Sequence, residues 1–446
     1  MALTKIGTDG VKDDAVTSDK VADSINSAIA ANTAKDMTAV SASNLTSGTV
    51  PDARFPATLP AVSAANLTSV PAANITGTLP AISGANLTGI STTPADGSIT
   101  QAKLNFPVAN RNLIINGAFQ VAQRGTSSTS TGYQTVDRFA TSFGGHDEAI
   151  TQAQVDLSSS DTPYSSGFRK AFKLTNGNQT SGADTADYVS FYQSVEAQDL
   201  ANSGWNYTDS NSKLTIQFWA KSSVAKTFIL SLYTQDGTDY AYNHKYALAA
   251  NTWTKITHTF PGNSNLTFDN DNGLGIQFQW LMYFGTQWTS GSTVDQWVVY
   301  NGNTSTPDDT SDWWTTNDAT FEITGVQLEV GSVTTDFEHR SFGQELALCQ
   351  RYYYKTFPYG TAPARNLGNA DSIHLAVVSG YNGSYHFKQA MRASPTLTFF
   401  NPSADNANQT SNSGGCTNRS TDNMISVEVG NTAGNHYTQF VAESEL

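Results

Sequence analysis

The residues of this sequence that suggest chemistry are tryptophans in polar surroundings. Five of the eight tryptophans lie in stretches rich in Ser, Thr, Asp and Asn. An indole face stacks on the apolar side of a sugar ring, and neighbouring amide and carboxyl groups bond the ring hydroxyls. Packing beneath a loop is the alternative at each position. The candidate ligand-binding residues are Trp205, Trp288, Trp297, Trp313 and Trp314.

No catalytic motif is present, and we expect neither enzyme activity nor a cofactor. The chain contains no G-x-S-x-G nucleophile elbow, no G-x-x-x-x-G-K phosphate loop and no H-E-x-x-H zinc motif. A glycosidase needs two carboxyl groups about 5 to 10 Å apart. Glu322 and Glu329 lie seven positions apart on one predicted strand, which places them about 23 Å apart on opposite faces. Five other carboxylates could meet across strands or could be solvated loop groups: Asp184, Asp187, Glu196, Asp236 and Asp269.

We assign no residue to a metal site. The seven histidines are scattered, and His244 and His258, which lie in or beside strand-like runs, are expected to be surface or satisfied core residues. Residues 268–273, with the sequence FDNDNG, place Asp and Asn oxygens before a glycine. Both a calcium site and a turn between two strands use such residues, and both interpretations stay open.

The composition excludes broad classes of function. The 446 residues carry 24 Lys and Arg against 38 Asp and Glu, a net charge of −14, which argues against nucleic acid as a partner. No apolar run approaches the roughly 18 residues that cross a bilayer, and the N-terminus lacks the features of a secretory signal. We therefore expect no membrane insertion. Cys349 and Cys416 are too few for a disulfide scaffold, and free thiols are the preferred interpretation over one bond.

An internal repeat occupies residues 44–90. The sequence LPAVSAANLT at 59–68 returns as LPAISGANLT at 79–88, a period of 20 residues. Short repeats of this kind bury their apolar positions only by stacking on neighbours, and identical segments of other chains around a threefold axis are the simplest arrangement. A flexible linker is the alternative. Before the repeat, Val21, Ile25 and Ala28 recur at helical spacing and predict a short helix.

From residue 111 onward the hydrophobic pattern alternates with period two, which predicts β-strands. The runs are separated by loops rich in Asn, Asp, Gly and Ser, as in an antiparallel sandwich. Ser341 and Gln344 form a capping box that predicts a short helix, and further strand-like runs follow it. The clearest predicted strands of the sandwich are residues 214–222, 227–234, 253–260, 275–284 and 321–330.

Several longer motifs resemble phage tail-fibre proteins, especially those of marine and cyanobacterial phages. They are NLIINGAFQVAQRGTS at 112–127, VDRF at 136–139, TGVQLEVGSVTTDFEHRSFGQELALCQRYYYK at 324–355, MRASPTLT at 391–398 and AESEL at 442–446. The repeat at 44–90 is similar to the shafts of such fibres. The section that opens with NLIINGAF and closes with FEITGVQLEV also resembles the jelly-roll sandwiches of carbohydrate-binding modules.

The resemblance implies a homotrimer located in the virion, in the tail. Its N-terminus would bind other tail or virion proteins, and its C-terminus would face outward, toward a glycan of the host surface. The expected function is host-cell recognition and adhesion without catalysis. Two alternatives stay open: a tail-spike depolymerase that cleaves surface polysaccharide, and a purely structural fibre of capsid or tail. The resemblance does not supply the receptor or the host.

We therefore predict a mainly β protein with four regions. Residues 1–40 form a virion-attachment segment with a short helix, and residues 41–110 form an extended trimeric repeat shaft. Residues 111–337 form an antiparallel, jelly-roll-like β-sandwich. Residues 338–446 form a smaller C-terminal β tip domain.

Overall fold

The computed structural model describes residues 23–33, 111–289, 292–302, 306–368, 372–377, 382–405, 416–418, 420–429 and 434–446. The chain divides into two compact units, Met1–Ile90 and Ser91–Leu446. In the first unit, helix α1 (Asp23–Thr33) confirms the predicted short helix, and its Ile25 and Ile29 are exposed. The predicted shaft at 41–110 lies outside the described residues. None of the described helices is long and apolar enough to cross a bilayer.

The first part of the second unit is a sandwich of two six-stranded antiparallel sheets. Alternating apolar residues give each strand one face for the core. In chain order the strands are β1 (Ser127–Ser128), β2 (Ala140–Gly144), β3 (Thr151–Asp156), β4 (Lys170–Thr175), β5 (Tyr188–Glu196), β6 (Lys213–Ser222), β7 (Lys226–Thr234), β8 (Tyr240–Leu248), β9 (Thr254–Pro261), β10 (Leu274–Phe284), β11 (Trp297–Val299) and β12 (Thr320–Val330). The short helices α2 (Ala197–Ala201) and α3 (Asp312–Thr315) lie between strands.

The strand order is that of a jelly roll. The first sheet runs β1-β3-β4-β12-β6-β9 and the second β11-β8-β7-β10-β5-β2. Without the flanking strands β1, β2, β3 and β11, each sheet has four strands: β4-β12-β6-β9 against β5-β10-β7-β8. Two interlocked Greek keys produce this order. The predicted antiparallel jelly-roll-like sandwich is confirmed.

Aromatic side chains fill the space between the two sheets. Phe191 of β5 stacks on Trp280 of β10, with ring centroids 5.0 Å apart. Phe218 of β6 meets the same indole edge-on at 5.8 Å, so the contact crosses from one sheet to the other. All three side chains are fully buried. Such aromatic pairs add to the free energy gained by area burial.

The C-terminal strands form two smaller sheets after helix α4 (Phe342–Gln350), whose predicted Ser341–Gln344 capping box is present. One sheet contains β13 (Tyr353–Lys355), β14 (Ile373–Val377), β16 (Thr396–Phe400) and β19 (Gly434–Glu443). The other contains β15 (Asn382–His386), β17 (Cys416–Asn418) and β18 (Met424–Val429). Their core is built around Tyr354 and Phe440. Cys349 is a buried free thiol, whereas the side chain of Cys416 lies outside the described residues.

Buried arginines join the sandwich to the C-terminal strands. Arg138, in the sandwich, pairs with Glu445 of the C-terminal tail, and its guanidinium lies 3.4 Å from the ring centroid of Tyr352. Arg124 lies 3.1 Å from the same carboxylate and 3.8 Å from the ring centroid of Tyr353. We call this cluster of Arg124, Arg138, Tyr352, Tyr353 and Glu445 the arginine seam. It fixes the C-terminal tail against the sandwich.

The arginine seam predicts that substitutions of two glutamates of the same tail lower the free energy of unfolding by very different amounts. The Arg138 side chain is only 1% exposed, so Glu445→Ala would leave a buried charge unpaired and should lower the free energy of unfolding by about 3 to 5 kcal/mol. Glu443 is 49% exposed and lies 3.4 Å from Arg124, so Glu443→Ala should cost at most about 1 kcal/mol. Urea unfolding of both variants measures the difference. Equal losses would contradict the structural role of Glu445.

Candidate functional site

The outer face of the second sheet carries a row of neutral polar and aromatic side chains. Tyr192 lies on β5, Gln277 and Gln279 on β10, and Tyr233 on β7. All four are half-buried. Their neighbours along the strands belong to the sandwich core, so these four side chains point away from it. The core neighbours are Phe191, Leu232, Ile276, Phe278 and Trp280. We call the surface formed by Tyr192, Tyr233, Gln277 and Gln279 the amide face.

Strand register places the members of the amide face side by side. Gln279 stands opposite Tyr192 of β5 and Ser231 of β7. Gln277 stands opposite Tyr233 of β7. Directly opposed residues of antiparallel strands have Cβ atoms about 4.5 to 5.5 Å apart. The face is therefore one continuous surface across three strands.

Buried serines orient the two amides. Gln279 Nε2 donates to Ser190 Oγ at 2.8 Å, and Gln277 Nε2 donates to Ser194 Oγ at 3.3 Å. Both serines are fully buried. An amide that donates through its nitrogen presents its carbonyl oxygen on the other side. The two glutamines are thus held as a pair of aligned acceptors.

Tyrosines border the amide face on both sides. The ring of Tyr133 meets that of Tyr192 edge-on, with centroids 6.3 Å apart. The Tyr133 hydroxyl donates to the backbone oxygen of Leu446 at 3.0 Å. On the other side, the ring centroid of Tyr300 lies 4.4 Å from that of Tyr233. Burial and the hydrogen bond to Asp239 raise the pKa of Tyr233 to about 12. Burial, with the Glu445 charge, also raises the pKa of Tyr192. Both hydroxyls are uncharged at neutral pH.

This arrangement favours an uncharged, hydroxyl-rich ligand. Aligned amides and hydroxyls can donate to and accept from several hydroxyl groups, while tyrosine rings offer apolar faces. None of the four side chains that form the face carries a charge at neutral pH. The same combination of apolar surface with a few placed polar groups is typical of small-molecule sites.

The five predicted tryptophans occupy different environments. Trp205, Trp313 and Trp314 are 3%, 0% and 1% exposed, as expected for the alternative of packing beneath a loop. Trp288 and Trp297 are half-buried, and their Nε1 atoms donate to the carbonyls of Ala186 at 3.2 Å and Pro261 at 2.7 Å. A ligand-binding role for these two stays a prediction.

Backbone carbonyls in the loops lie close to the indole N–H groups of two of these three buried tryptophans. Trp314 Nε1 donates to the carbonyl of Gly182 at 2.7 Å, and Trp205 Nε1 lies 3.4 Å from the carbonyl of Ser212. A polar loop that folds over an indole supplies an acceptor for its N–H group. Polar flanking residues therefore did not indicate exposure. The signal for the amide face was the alternation of Gln277 and Gln279 with core residues in the predicted strand at 275–284.

Glu322 and Glu329 lie on the same face of their strand, which corrects the prediction of opposite faces. The register of β12 against β6 shifts between Thr324 and Gln327, and Gly325 has φ 67°. One inserted residue reverses the alternation. Each carboxylate has its own cation, since Glu322 lies 3.1 Å from Lys221 and Glu329 lies 3.5 Å from Arg111. The two still form no catalytic pair.

Among the remaining candidate carboxylates, two pairs meet at loop ends. The backbone N–H of Asp184 donates to Asp187 at 2.6 Å, and that of Asp269 donates to Asp236 at 3.0 Å. Burial raises the pKa of both acceptors, Asp187 and Asp236. In residues 268–273, Asp271 Oδ1 accepts from the N–H of Gly273 at 2.8 Å. The turn interpretation explains these residues.

Two cavities lie near the junction of the sandwich and the C-terminal strands. The larger, of about 1120 Å³, is lined by residues that include Leu113, Ile115, Val330 and Leu348. The smaller, of about 400 Å³, is lined in part by aromatic and basic side chains: Tyr354, Tyr359, Tyr385, Lys355 and Lys388. A sugar could also fit the smaller cavity by size.

Comparisons with known proteins give no family assignment. No protein-family model and no curated protein matches the chain. Solved structures similar to it include carbohydrate-binding modules. A family 11 module from Clostridium thermocellum, in complex with a β-1,3-1,4-mixed-linked tetrasaccharide, is 12% identical and has a TM-score of 0.24, with 47% of this chain and 98% of that chain covered.

Two further structures have similar values. The N-terminal cellulose-binding domain of Cellulomonas fimi β-1,4-glucanase C is 10% identical with a TM-score of 0.24, covering 48% of this chain and 99% of that chain. A family 16 carbohydrate-binding module is 14% identical with a TM-score of 0.21, covering 40% and 84%. At these TM-scores the similarities carry no argument about function.

Glu196, one of the candidate carboxylates, has a structural role that predicts acid sensitivity. It is fully buried and accepts hydrogen bonds from Arg351 at 2.7 Å and from Tyr352. Burial raises the pKa of Glu196, but these hydrogen bonds and the Arg351 charge outweigh burial and lower it overall. Its stabilisation is therefore complete above the ordinary pKa of a glutamate, about 4.3, and is lost as the pH falls through the lowered value.

We expect Glu196→Gln to lower the free energy of unfolding at neutral pH by about 1 to 3 kcal/mol, because a charge-assisted hydrogen-bond pair is lost. The difference from the unsubstituted chain should shrink as the pH falls below about 4. Urea unfolding of both chains at several pH values measures it. A difference that stays constant with pH would show that Glu196 is not held ionised by Arg351.

Proposed function

We propose that the protein is a non-catalytic, glycan-binding tail fibre of a phage particle, with the amide face as its glycan site. The observation that carries glycan binding is the alignment of Gln277 and Gln279 between Tyr192 and Tyr233. Serines hold the amides, and the tyrosine hydroxyls are neutral. Such a surface offers bonds to the hydroxyls of a neutral sugar without requiring a charge on it.

The fibre part of the proposal rests on the sequence motifs. Residues 112–127, 324–355 and 442–446 resemble phage tail-fibre proteins, and the repeat at 44–90 is similar to their shafts. We propose that three chains associate through the repeat, that the N-terminal segment binds other virion proteins, and that the C-terminal unit faces the host surface.

Trimer formation would make a weak site sufficient. A single shallow face on a sheet gives few contacts, and its affinity for one sugar is expected to be low. Three linked copies, on several fibres of one particle, raise the overall affinity for a repeated surface glycan by orders of magnitude. Attachment to a polysaccharide therefore suits this chain better than capture of a free sugar.

Two other functions differ from this proposal in measurable ways. A depolymerase would release reducing ends from the polysaccharide it binds. A purely structural fibre of capsid or tail would bind no glycan. The absence of a charge on the amide face favours binding over hydrolysis, because glycoside hydrolysis uses a pair of carboxyl groups flanking the bond.

Retardation of the full-length chain in native gels that contain neutral or acidic polysaccharides tests the site. We expect retardation by a neutral polysaccharide and an apparent affinity reduced about tenfold in Gln279→Ala and in Tyr192→Ala, since a lost hydrogen bond or ring contact is worth about 1 kcal/mol or more. Thr257→Ala, an exposed position on β9 of the first sheet, is the matched control and should bind like the unsubstituted chain.

Each other outcome identifies a different function or site. Retardation that survives the amide-face variants but is lost in Tyr359→Ala and Lys388→Ala would move the site to the 400 Å³ cavity. Release of reducing sugar in the same samples would indicate a depolymerase. No retardation by any polysaccharide would favour a structural fibre. Light scattering measures the trimer separately, as a mass three times that of the 47.7 kDa chain.

A further inference from the structure

Two histidines that the sequence separates by 14 positions meet between the sheets of the sandwich. His244 lies on β8 of the second sheet, on the same face as the core residues Tyr242 and Tyr246. His258 lies on β9, the edge strand of the first sheet, on the same face as the core residue Phe260. Their rings stack with centroids 3.6 Å apart and an angle of 21° between the planes. The pair closes the gap between the sheets at one edge.

Asp295 brings a carboxylate to the same place. It belongs to the loop between β10 and β11, and its backbone N–H donates to the carbonyl of Asn243 at 2.8 Å. Its φ of 58° lies in the left-handed region, which an aspartate tolerates better than most residues. Its Oδ1 lies 2.7 Å from His244 Nδ1 and 3.6 Å from His258 Nε2. The loop thus delivers one oxygen between two ring nitrogens.

These separations fit a small divalent ion. Ligands at the usual distances of about 2.0 to 2.1 Å in a tetrahedral Zn²⁺ site are about 3.3 Å from each other. The two nitrogen–oxygen distances, 2.7 Å and 3.6 Å, lie on either side of that value. All three ligand atoms lie within 4.8 Å of one another. Small rotations of the side chains would bring the three atoms around one ion.

The three residues are also accessible to an ion. The His244 and His258 side chains are 19% and 14% exposed and Asp295 is 52% exposed. An ion could reach the site from solvent without opening the core.

We infer that His244, His258 and Asp295 form a binding site for one Zn²⁺ ion. Two imidazoles and a carboxylate, with no thiolate among them, match the ligands that borderline divalent metals prefer. The fourth position is open to water. The Tyr242 hydroxyl lies 3.2 Å from His258 Nε2, and it would give up this contact when the nitrogen binds the ion.

Such an ion would have a structural effect. It would connect β8 of one sheet, β9 of the other and the loop between β10 and β11 at a single point. The rings of His244 and His258 stack, and Asp295 Oδ1 lies 2.7 Å and 3.6 Å from one nitrogen of each. A bound ion adds its binding free energy to the stability of the folded chain, because the three ligands are brought together only by the fold.

Calorimetric titration of ZnCl₂ into the full-length chain, stripped with EDTA and carrying no histidine tag, tests the site. We expect one Zn²⁺ per chain and a melting temperature that rises with Zn²⁺ concentration. Affinity should fall at least about tenfold in His244→Ala and in Asp295→Asn. His386→Ala, at an exposed position of β15, is the matched control and should leave both readouts unchanged.

Asp295→Asn keeps the test interpretable if a histidine variant folds poorly, because this residue lies on an exposed loop. Circular dichroism in EDTA checks that each variant keeps its fold. X-ray absorption at the zinc edge should show two imidazoles and one or more oxygens at about 2.0 to 2.2 Å. No saturable Zn²⁺ binding, or binding that Asp295→Asn and His244→Ala leave unchanged, would overturn the inference.

Discussion

The burial of Arg138 against Glu445 is the interaction on which the second unit depends. A guanidinium stays charged inside a protein, so a chain that buries one must bring a counter-charge to it. Here the counter-charge comes from the last residues of the chain, and Arg392 holds the backbone carbonyl of Glu445 at 3.0 Å. The buried guanidinium of Arg138 therefore has this counter-charge only when the C-terminal tail is in place. The ring of Tyr352, which contacts Arg138, links helix α4 to the same point.

The longer motifs at residues 112–127, 136–139, 324–355, 391–398 and 442–446 meet around this interaction. Asn116, from the NLIINGAF motif, donates through its side chain to the carbonyls of Val121 and Asp137, and its backbone N–H donates to Glu345 of α4 at 2.5 Å. Segments far apart in sequence thus form one junction. Their residue types are explained by buried charges and backbone hydrogen bonds. The amide face lies outside these motifs, on β5, β7 and β10, so the junction and the proposed ligand surface use different residues.

The second sheet combines a rigid support with a surface that carries little charge. Core aromatics on one side of β10 fix the strand, and the buried serines of β5 fix the glutamines on its other side. The segment between β11 and α3 is held by a buried ion pair, with Lys226 Nζ 2.9 Å from Asp309. Asp295, in the loop between β10 and β11, reaches the two stacked histidines at the sandwich edge. Strand β10 carries the two glutamines of the proposed glycan face, and the loop after β10 supplies Asp295 to the proposed zinc site, which lies on the opposite side of the sheet.

The sequence by itself determined the local structure. The alternation in residues 214–222 and 275–284 and the apolar run at 227–234 predicted strands that the structure contains, and the Ser341–Gln344 capping box predicted α4. These signals are local, because side-chain periodicity and caps act over a few residues. Only the tertiary structure decided which residues meet. The bulge at Gly325 reversed the face of Glu329, loop carbonyls buried the indoles of Trp205 and Trp314, and the pairing of two sheets brought His258 to His244. Each of these depends on contacts between distant segments, and no local pattern encodes the register or the partner that such contacts require.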